Sequence, residues 1–296
     1  MKNLILLCFC WGPIVLKCQI QQNINKPSGT ISNPITEIDS IRFNAAGDEM
    51  QVVLQNGITE SHILNTIESV TFETVTGISL AHTCGADSVH NPEVAYGSLT
   101  DQEGNIYKTI IIGTQEWMAE NLNVQTYRNG DSISTNQDDF TWSNSLVTQI
   151  GAWAYYNNDS LNGCPYGKLY NWFAVADARN LCPEGWHVPT DAEWFTLSDG
   201  FGGQTLTGGK LKNTESTYWQ SPNTGATNES GFSGLPGAYR ETSGPFYEIG
   251  NVGCWWTSSS MGGSNAWSRE LRFASGGLFR SESSKRFGYA VRCVKD

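Results

Sequence analysis

Beyond Gly200 the sequence is glycine-rich and β-like. Short segments follow one another: Trp255–Ser260 ("WWTSSS"), Ala266–Phe273 ("AWSRELRF"), Leu278–Ser283 ("LFRSES") and Phe287–Asp296 ("FGYAVRCVKD"). Trp267, Arg269, Leu271 and Phe273 alternate and so share one strand face, as do Tyr289, Val291 and Cys293. Ser275-Gly276-Gly277 closes a hairpin onto Leu278. A chain punctuated in this way suits a loop-rich fold of short strands. With 11 tryptophans and 31 glycines in 296 residues, it has the aromatic bulk to pack irregular backbone and the glycines to turn it.

Two helical stretches are expected. In Tyr166–Arg179 ("YGKLYNWFAVADAR") Leu169, Trp172, Phe173 and Ala176 fall on a single helical face, which predicts one helix. In Leu181–Trp194 ("LCPEGWHVPTDAEW") Thr190 and Glu193 have the spacing of a capping box. Pro189 fixes the entry of the chain, Trp194 and Leu197 share a helix face, and Gly200 is a natural stop. Cys182 and His187 lie close enough in sequence for a nucleophile and its base. No orienting Asn or Asp is recognisable, however, and the segment reads as a structural corner. No catalytic residue is expected.

The first residues carry a targeting pattern. Lys2 precedes the apolar run Leu4–Leu16, which is too short for a transmembrane helix and is broken by Pro13. Residues 1–18 are therefore expected to be a signal peptide. Cleavage after Cys18 is preferred over lipidation of Cys18, because Lys17 is bulky and charged where a small residue is wanted. The mature chain is expected to be exported, with no transmembrane span. Residues 19–30 read as a polar linker. Within 31–75, "ITEIDSIRF" (Ile35–Phe43) aligns with "LNTIESVTF" (Leu64–Phe72) as a repeated strand pattern, and Asn56-Gly57 between them signals a hairpin. Residues 76–99 read as a connector to a main domain at 100–296. That domain opens with a strand at Ile106–Ile112, a turn at Gly113-Thr114 and a return from Gln115. Asp101, Glu103 and Asn105 alternate as in a calcium loop, but further ligands are missing and a polar turn is expected. No metal and no cofactor are expected.

Export bears on the cysteines. Cys84, Cys164, Cys182, Cys254 and Cys293 remain after the signal, with no CxxC pair. In an oxidising compartment such residues form disulfides. Their odd number leaves at least one free or paired with another chain. The formal net charge of −11 and the sequence pI of about 4.8 argue against nucleic acid as a partner. Residues 240–296 nonetheless carry eight of the 18 basic residues against five acidic ones. These cations either neutralise the acidic remainder within one fold or form a cationic face.

"TDQEGNIYKTIIIGTQEWMAENL", "YGKLYNWFAV", "LCPEGWHVPTDAEW", "GATNESGFSGLPGAYR", "GCWWTSSS", "AWSRELRF" and "KRFGYAVRCVKD" follow one another in the order of the Fibrobacter succinogenes major paralogous domain. Residues 84 to 296 resemble that family of exported bacterial domains, common in Bacteroidota. The ending "GYAVRC" also resembles the C-type lectin-like fold, to which the formylglycine-generating enzymes are related. The resemblance implies an α+β fold with short antiparallel strands, two short helices and long loops, preceded by the small β unit. It further implies a disulfide between Cys182 and Cys293. Cys84–Cys164 is the weaker pairing, leaving Cys254 free and buried beside Trp255.

Two departures bear on function. The close, copper-binding cysteine pair of the formylglycine-generating enzymes has no counterpart. The carboxylates of calcium-dependent lectins are missing from Ser221–Asn223 and Trp255–Ser260. A non-catalytic module for a glycan or protein ligand is the expectation, at the cell surface or secreted; the alternative is an oxidase or hydrolase. Trp219, Tyr239, Tyr247, Trp256 and Phe279 are the candidate contacts, with Arg240 and Arg280 as polar anchors. Strand patterning favours the core for Trp256 and Trp267, and a buried ion pair for Arg269.

Overall fold

The computed structural model describes residues 20–26, 29–34, 38–43, 49–54, 59–63, 69–74, 89–135 and 138–296. The expected signal segment falls outside these. Contacts divide the chain into two units, Met1–Ser79 and Leu80–Asp296.

The described part of the first unit is two antiparallel sheets. β1 (Ile20–Lys26) lies between β2 (Gly29–Pro34) and β6 (Ser69–Thr74), whereas β4 (Glu49–Leu54) lies between β3 (Ile38–Phe43) and β5 (Thr59–Ile63). Much of the segment predicted as a linker is thus strand. Ile24 is paired with Ile31 on one side and Val70 on the other, and that pairing overrides the polar composition. The repeat contributes β3 to one sheet and β6 to the other. β4 and β5 pair antiparallel, as the Asn56-Gly57 signal predicts, although that dipeptide lies outside the described residues.

The second unit is α+β. β7 (Gly97–Thr100), β8 (Ile106–Ile112) and β9 (Gln115–Met118) form a meander, so the predicted connector already supplies an edge strand. The sheet is completed by β12 (Trp186–His187) and β18 (Val294–Lys295), in the order β12-β18-β9-β8-β7. The C-terminal strand therefore inserts between the corner segment and the opening strands. A Cys182–Cys293 disulfide, with Cα atoms 6.0 Å apart, fixes this closure. Cys164 is also disulfide-bonded, and Cys84 lies outside the described residues. Among the described residues Cys254 is free, and it is buried.

β15 (Val252–Ser260), β16 (Asn265–Arg272) and β17 (Leu278–Ser284) form an antiparallel meander that divides the core. Trp255 and Trp256 are neighbours, so they point to opposite sides of it. Trp255 joins Trp117, Trp194, Phe232 and Leu271 in one cluster, while Trp256 joins Tyr170, Tyr289 and Cys254 in the other. Against the first cluster pack α5 (Asp191–Asp199) and α6 (Gln204–Leu211). α6 contradicts the expectation that everything after Gly200 is β-like. Its glycines make the helix possible where it lies: a Cβ on Gly208 would sit 2.0 Å from the Gly277 carbonyl oxygen, and one on Gly209 2.0 Å from that of Gly225.

The expected helix over Tyr166–Arg179 is broken into pieces, and the unit has more helices than the two predicted. α1 (Asp139–Ser143) and α2 (Ser145–Thr148) precede the paired strand β10 (Trp153–Ala154). Then come α3 (Gly163–Tyr166), β11 (Leu169–Tyr170), which pairs with β10, and α4 (Trp172–Val175). Gly167 takes a φ of 72°, outside the helix. Tyr170 exchanges backbone hydrogen bonds with Tyr289 at 2.8 and 3.0 Å, and the Asn171 side chain caps α4 by accepting from Ala174 N–H. Tertiary pairing and a cap outweigh the apolar spacing.

The capping box of α5 is formed. Thr190 Oγ1 accepts from Glu193 N–H at 3.2 Å, and the Glu193 carboxylate accepts from Thr190 N–H at 2.7 Å. Thr190→Ala is expected to lower stability by about 1 kcal/mol. An unchanged thermal midpoint would show that the cap contributes nothing.

Buried cations hold the loops together. Long irregular loops bring carbonyl oxygens into the interior, where each needs a donor. Lys212 Nζ donates to the carbonyls of Thr224, Arg272 and Ser275, and burial pulls its pKa down to about 8. Arg128 donates to Cys182, Pro183 and Trp186, bracing the corner. Arg240, Arg269 and Arg292 are fully buried, so much of the C-terminal positive charge is internal and forms no cationic face.

Candidate functional site: an aromatic face beside the C-terminal sheet

Residues paired directly across neighbouring strands point to the same side of a sheet. Cys254, Glu270 and Phe279 form one such row; Val252 and Arg272 form the next. Next to this side of the sheet stands the hairpin of β13 (Tyr239–Arg240) and β14 (Phe246–Tyr247), with Tyr239 opposite Tyr247. The Tyr239 ring centroid lies 6.2 Å from Tyr247, 5.8 Å from Phe287 and 6.2 Å from Tyr289. Phe287 stacks on Tyr289 at 5.3 Å, and Tyr289 meets Trp256 at 4.6 Å. The rings run from the surface to the core: Tyr247 is 48% exposed, Tyr239 and Phe287 are half-buried, and Tyr289 and Trp256 are buried.

Of the sequence-predicted contacts, Tyr239 and Tyr247 are together on this face, and Phe279 lies farther along the same side of the sheet. The others are elsewhere. Trp219 is 2% exposed and donates its indole N–H to Gly234 O at 3.0 Å. Its glycine-rich surroundings suggest an open loop, but that loop is clamped onto the core by Lys212. Trp256 is core, as strand patterning predicts, and donates to Tyr170 O at 2.8 Å. Arg240 is no surface anchor. It is buried, its Nε donates to Gly244 O at 2.7 Å, and its guanidinium lies 4.2 Å from the Trp142 ring and 5.0 Å from Phe246. It braces the hairpin that carries the two tyrosines.

Arg280 points to the other side of the sheet, where it pairs with Asp191 at 2.9 Å and covers Trp267 at 3.1 Å. Arg269 pairs with the same Asp191 at 2.8 Å, the buried ion pair expected of it. Burial disfavours the ionised Asp191, but the two guanidiniums outweigh it and hold its carboxyl below the usual range. Trp267 is half-buried and capped by Arg280, short of the core position expected for it.

Phe287 was not among the predicted contacts. The alternation of Tyr289, Val291 and Cys293, extended back by one step, reaches it. The raised pKa of Tyr239, caused first by burial and then by charges such as those of Glu248, Glu241 and Glu270, has no such sequence signal, because it depends on the hairpin closing over the sheet.

The corner holds no nucleophile, since Cys182 is in the disulfide. His187 is clasped instead, with Nδ1 2.6 Å from Asp296 Oδ1 and Nε2 2.8 Å from Glu193 Oε1. Burial lowers the imidazole pKa, but the two carboxylates outweigh it and raise it above the ordinary value. Such a group adds stability that is complete below its unfolded pKa of about 6.5 and fades as pH rises through the folded value. The stability lost in His187→Gln is therefore expected to be largest at acid pH and to vanish at alkaline pH. Urea denaturation across that range measures it, and a pH-independent difference would contradict this reading.

Asp101 accepts from the backbone N–H of Glu103 and Asn105, from Asn105 Nδ2 and from Tyr107 Oη–H, so its oxygens are used within a polar turn. A cleft of about 320 Å³ lies between Tyr127, Ile150, Asp177 and Arg179. There Arg179 is already held by Asp177 and Asp131 at 2.7 and 3.1 Å. Among the described residues, no cluster of three or more His, Cys, Asp or Glu is placed to hold a metal ion, and no helix is long and apolar enough to cross a membrane.

These features define a class of molecule: a disulfide-closed α+β module whose loops are clamped by buried cations and which carries a graded aromatic face beside its C-terminal sheet. Residues 110–295 match the family model of the Fibrobacter succinogenes major domain, and the chain belongs to that family. No curated protein and no solved structure matches it.

Proposed function

We propose that this chain is an exported, non-catalytic binding module of C-type lectin-like architecture, acting at the cell surface or after secretion. The observation that carries the proposal is the partly exposed Tyr239–Tyr247–Phe287 cluster, backed by buried rings. An aromatic surface held rigid by its own core gives a ligand contact area at little entropic cost. The ligand is a glycan or a protein. Export is supported by the Cys182–Cys293 disulfide and by that of Cys164, which suit an oxidising compartment. The alternative, an oxidase or hydrolase, gains no support from Cys254: burial pushes its thiol pKa well up, which keeps it neutral and unreactive.

The test is a glycan array and a panel of extracellular proteins, probed with the full chain and with Tyr239→Ala. A ligand bound by the wild type and lost in the variant is expected. Turnover of a substrate, or a ligand indifferent to Tyr239, would overturn the proposal.

A further inference from the structure

Several rings on the outside of this protein are faced by its own cations. Arg280 lies 3.1 Å from the centroid of Trp267, Arg272 4.2 Å from Phe279, and Arg269 and Arg280 5.2 and 5.5 Å from Phe195. The aromatic face is different. Among the described residues, no lysine or arginine stands over Tyr239, Tyr247 or Phe287, although the cluster is partly open to solvent.

Carboxylates flank the hairpin that carries two of these rings: Glu241 follows β13 and Glu248 follows β14, and Glu270 stands on the near side of the neighbouring sheet. Burial first, and then the charges of Glu248, Glu241 and Glu270 among others, raise the pKa of Tyr239. Glu270 is taken by Arg272, whose Nη2 lies 2.7 Å from it. Glu241 accepts from Ser243 N–H at 2.8 Å and from Thr242 Oγ1 at 2.6 Å, and these bonds, against the effect of burial, hold its pKa down at about 2. Glu248 is exposed beside Tyr247 and accepts from Asn251 Nδ2 at 3.0 Å. Glu241 and Glu248 thus place negative charge beside rings whose faces are themselves negative.

We propose that the Tyr239–Tyr247–Phe287 cluster receives a lysine or arginine side chain from a basic segment of a partner protein. This rests on the binding-module reading and narrows it. Ring faces and nearby carboxylates attract a cation together, as Arg272 shows on Phe279 and Glu270 in the neighbouring sheet. A neutral sugar would draw on the rings without drawing on the charge. A phosphate would be repelled. A second copy of the chain, itself at −11, is a poor occupant.

Fluorescence anisotropy of a labelled peptide of alternating arginine and glycine, titrated with the full chain, tests this against a peptide carrying glutamine for arginine. The arginine peptide should bind in preference. Tyr247→Ala should weaken it about fivefold, the scale of an exposed cation–π contact, although it changes no charge. Glu248→Gln should weaken it and flatten its salt dependence. Glu184→Gln, an exposed acidic residue in the corner, should leave it unchanged. Equal losses in Tyr247→Ala and Glu184→Gln would reduce the binding to diffuse charge attraction and overturn the proposal, as would equal binding of the two peptides. A glycan that requires Tyr247 but is indifferent to Glu248→Gln would also overturn it, while leaving the binding face intact.

Discussion

Arg292→Met is expected to cost about 3–5 kcal/mol, a large share of what a domain of this size has to lose. Arg292 is 1% exposed. Its Nε donates to Asn121 Oδ1 at 2.9 Å, its Nη2 to Ser233 O at 3.1 Å, and its Nη1 to the carbonyls of Phe232 and, at 3.4 Å, Met118. The guanidinium also lies 4.0 Å from the Phe232 ring. Burial pulls its pKa down to about 9, which leaves it charged at neutral pH. Methionine fills comparable space but donates nothing, so buried carbonyls on two separate segments lose their donors together. Urea denaturation monitored by tryptophan fluorescence measures the loss. A change below about 1 kcal/mol would mean that water or a rearranged loop satisfies those carbonyls, and that the clamp is dispensable.

Removing the Cys182–Cys293 bridge is the second large effect. The bonded residues are 111 positions apart, and in the chain-entropy model closing a loop of that length restricts the unfolded chain by about 4–5 kcal/mol. The bond also sits where β18 enters between β12 and β9, with Trp186 opposite Lys295 and His187 opposite Val294. These strands are too short to hold by themselves. The Cys182→Ser, Cys293→Ser double variant should therefore shift the denaturation midpoint strongly, with loss of protection first at β12 and β18 in hydrogen exchange. A midpoint within about 1 kcal/mol of the wild type would show that the arginine clamp and the sheet suffice without the bond.

Much of this fold is written in local signals. β8 and β9, the β16–β17 hairpin and the Thr190 cap depend on residues near in sequence, and the sequence predicts each of them. The bridge follows from family resemblance, and Arg269 from alternation within one strand. What is not legible depends on distant segments. Gln204–Leu211 falls in the stretch expected to be β-like, because glycines weaken a helix, yet those glycines are what allow it to lie against two backbones. Trp219 and Arg240 read as surface because glycine-rich loops usually are; here buried lysine and arginine side chains supply the donors that let such loops fold inward. The first unit shows the converse: polar residues 20–26 become a central strand because neighbours on both sides complete their hydrogen bonds. For the site, the presence of aromatics in a glycine-rich stretch locates Tyr239, Tyr247 and Phe279 only loosely. It is the cross-strand pairing that puts Phe279 and Arg280 on opposite sides of the sheet.

The proposed function requires that folding and binding be carried by different residues: buried cations and tryptophans would build the module, and the exposed end of the aromatic series would meet the ligand. The most direct measurement is the thermal midpoint and ligand affinity of Tyr247→Ala, taken together on the same preparation. Tyr247 is 48% exposed, so a midpoint close to that of the wild type and a clear loss of affinity are expected. A variant that binds as the wild type does, or that loses affinity only because it has lost its fold, would contradict it.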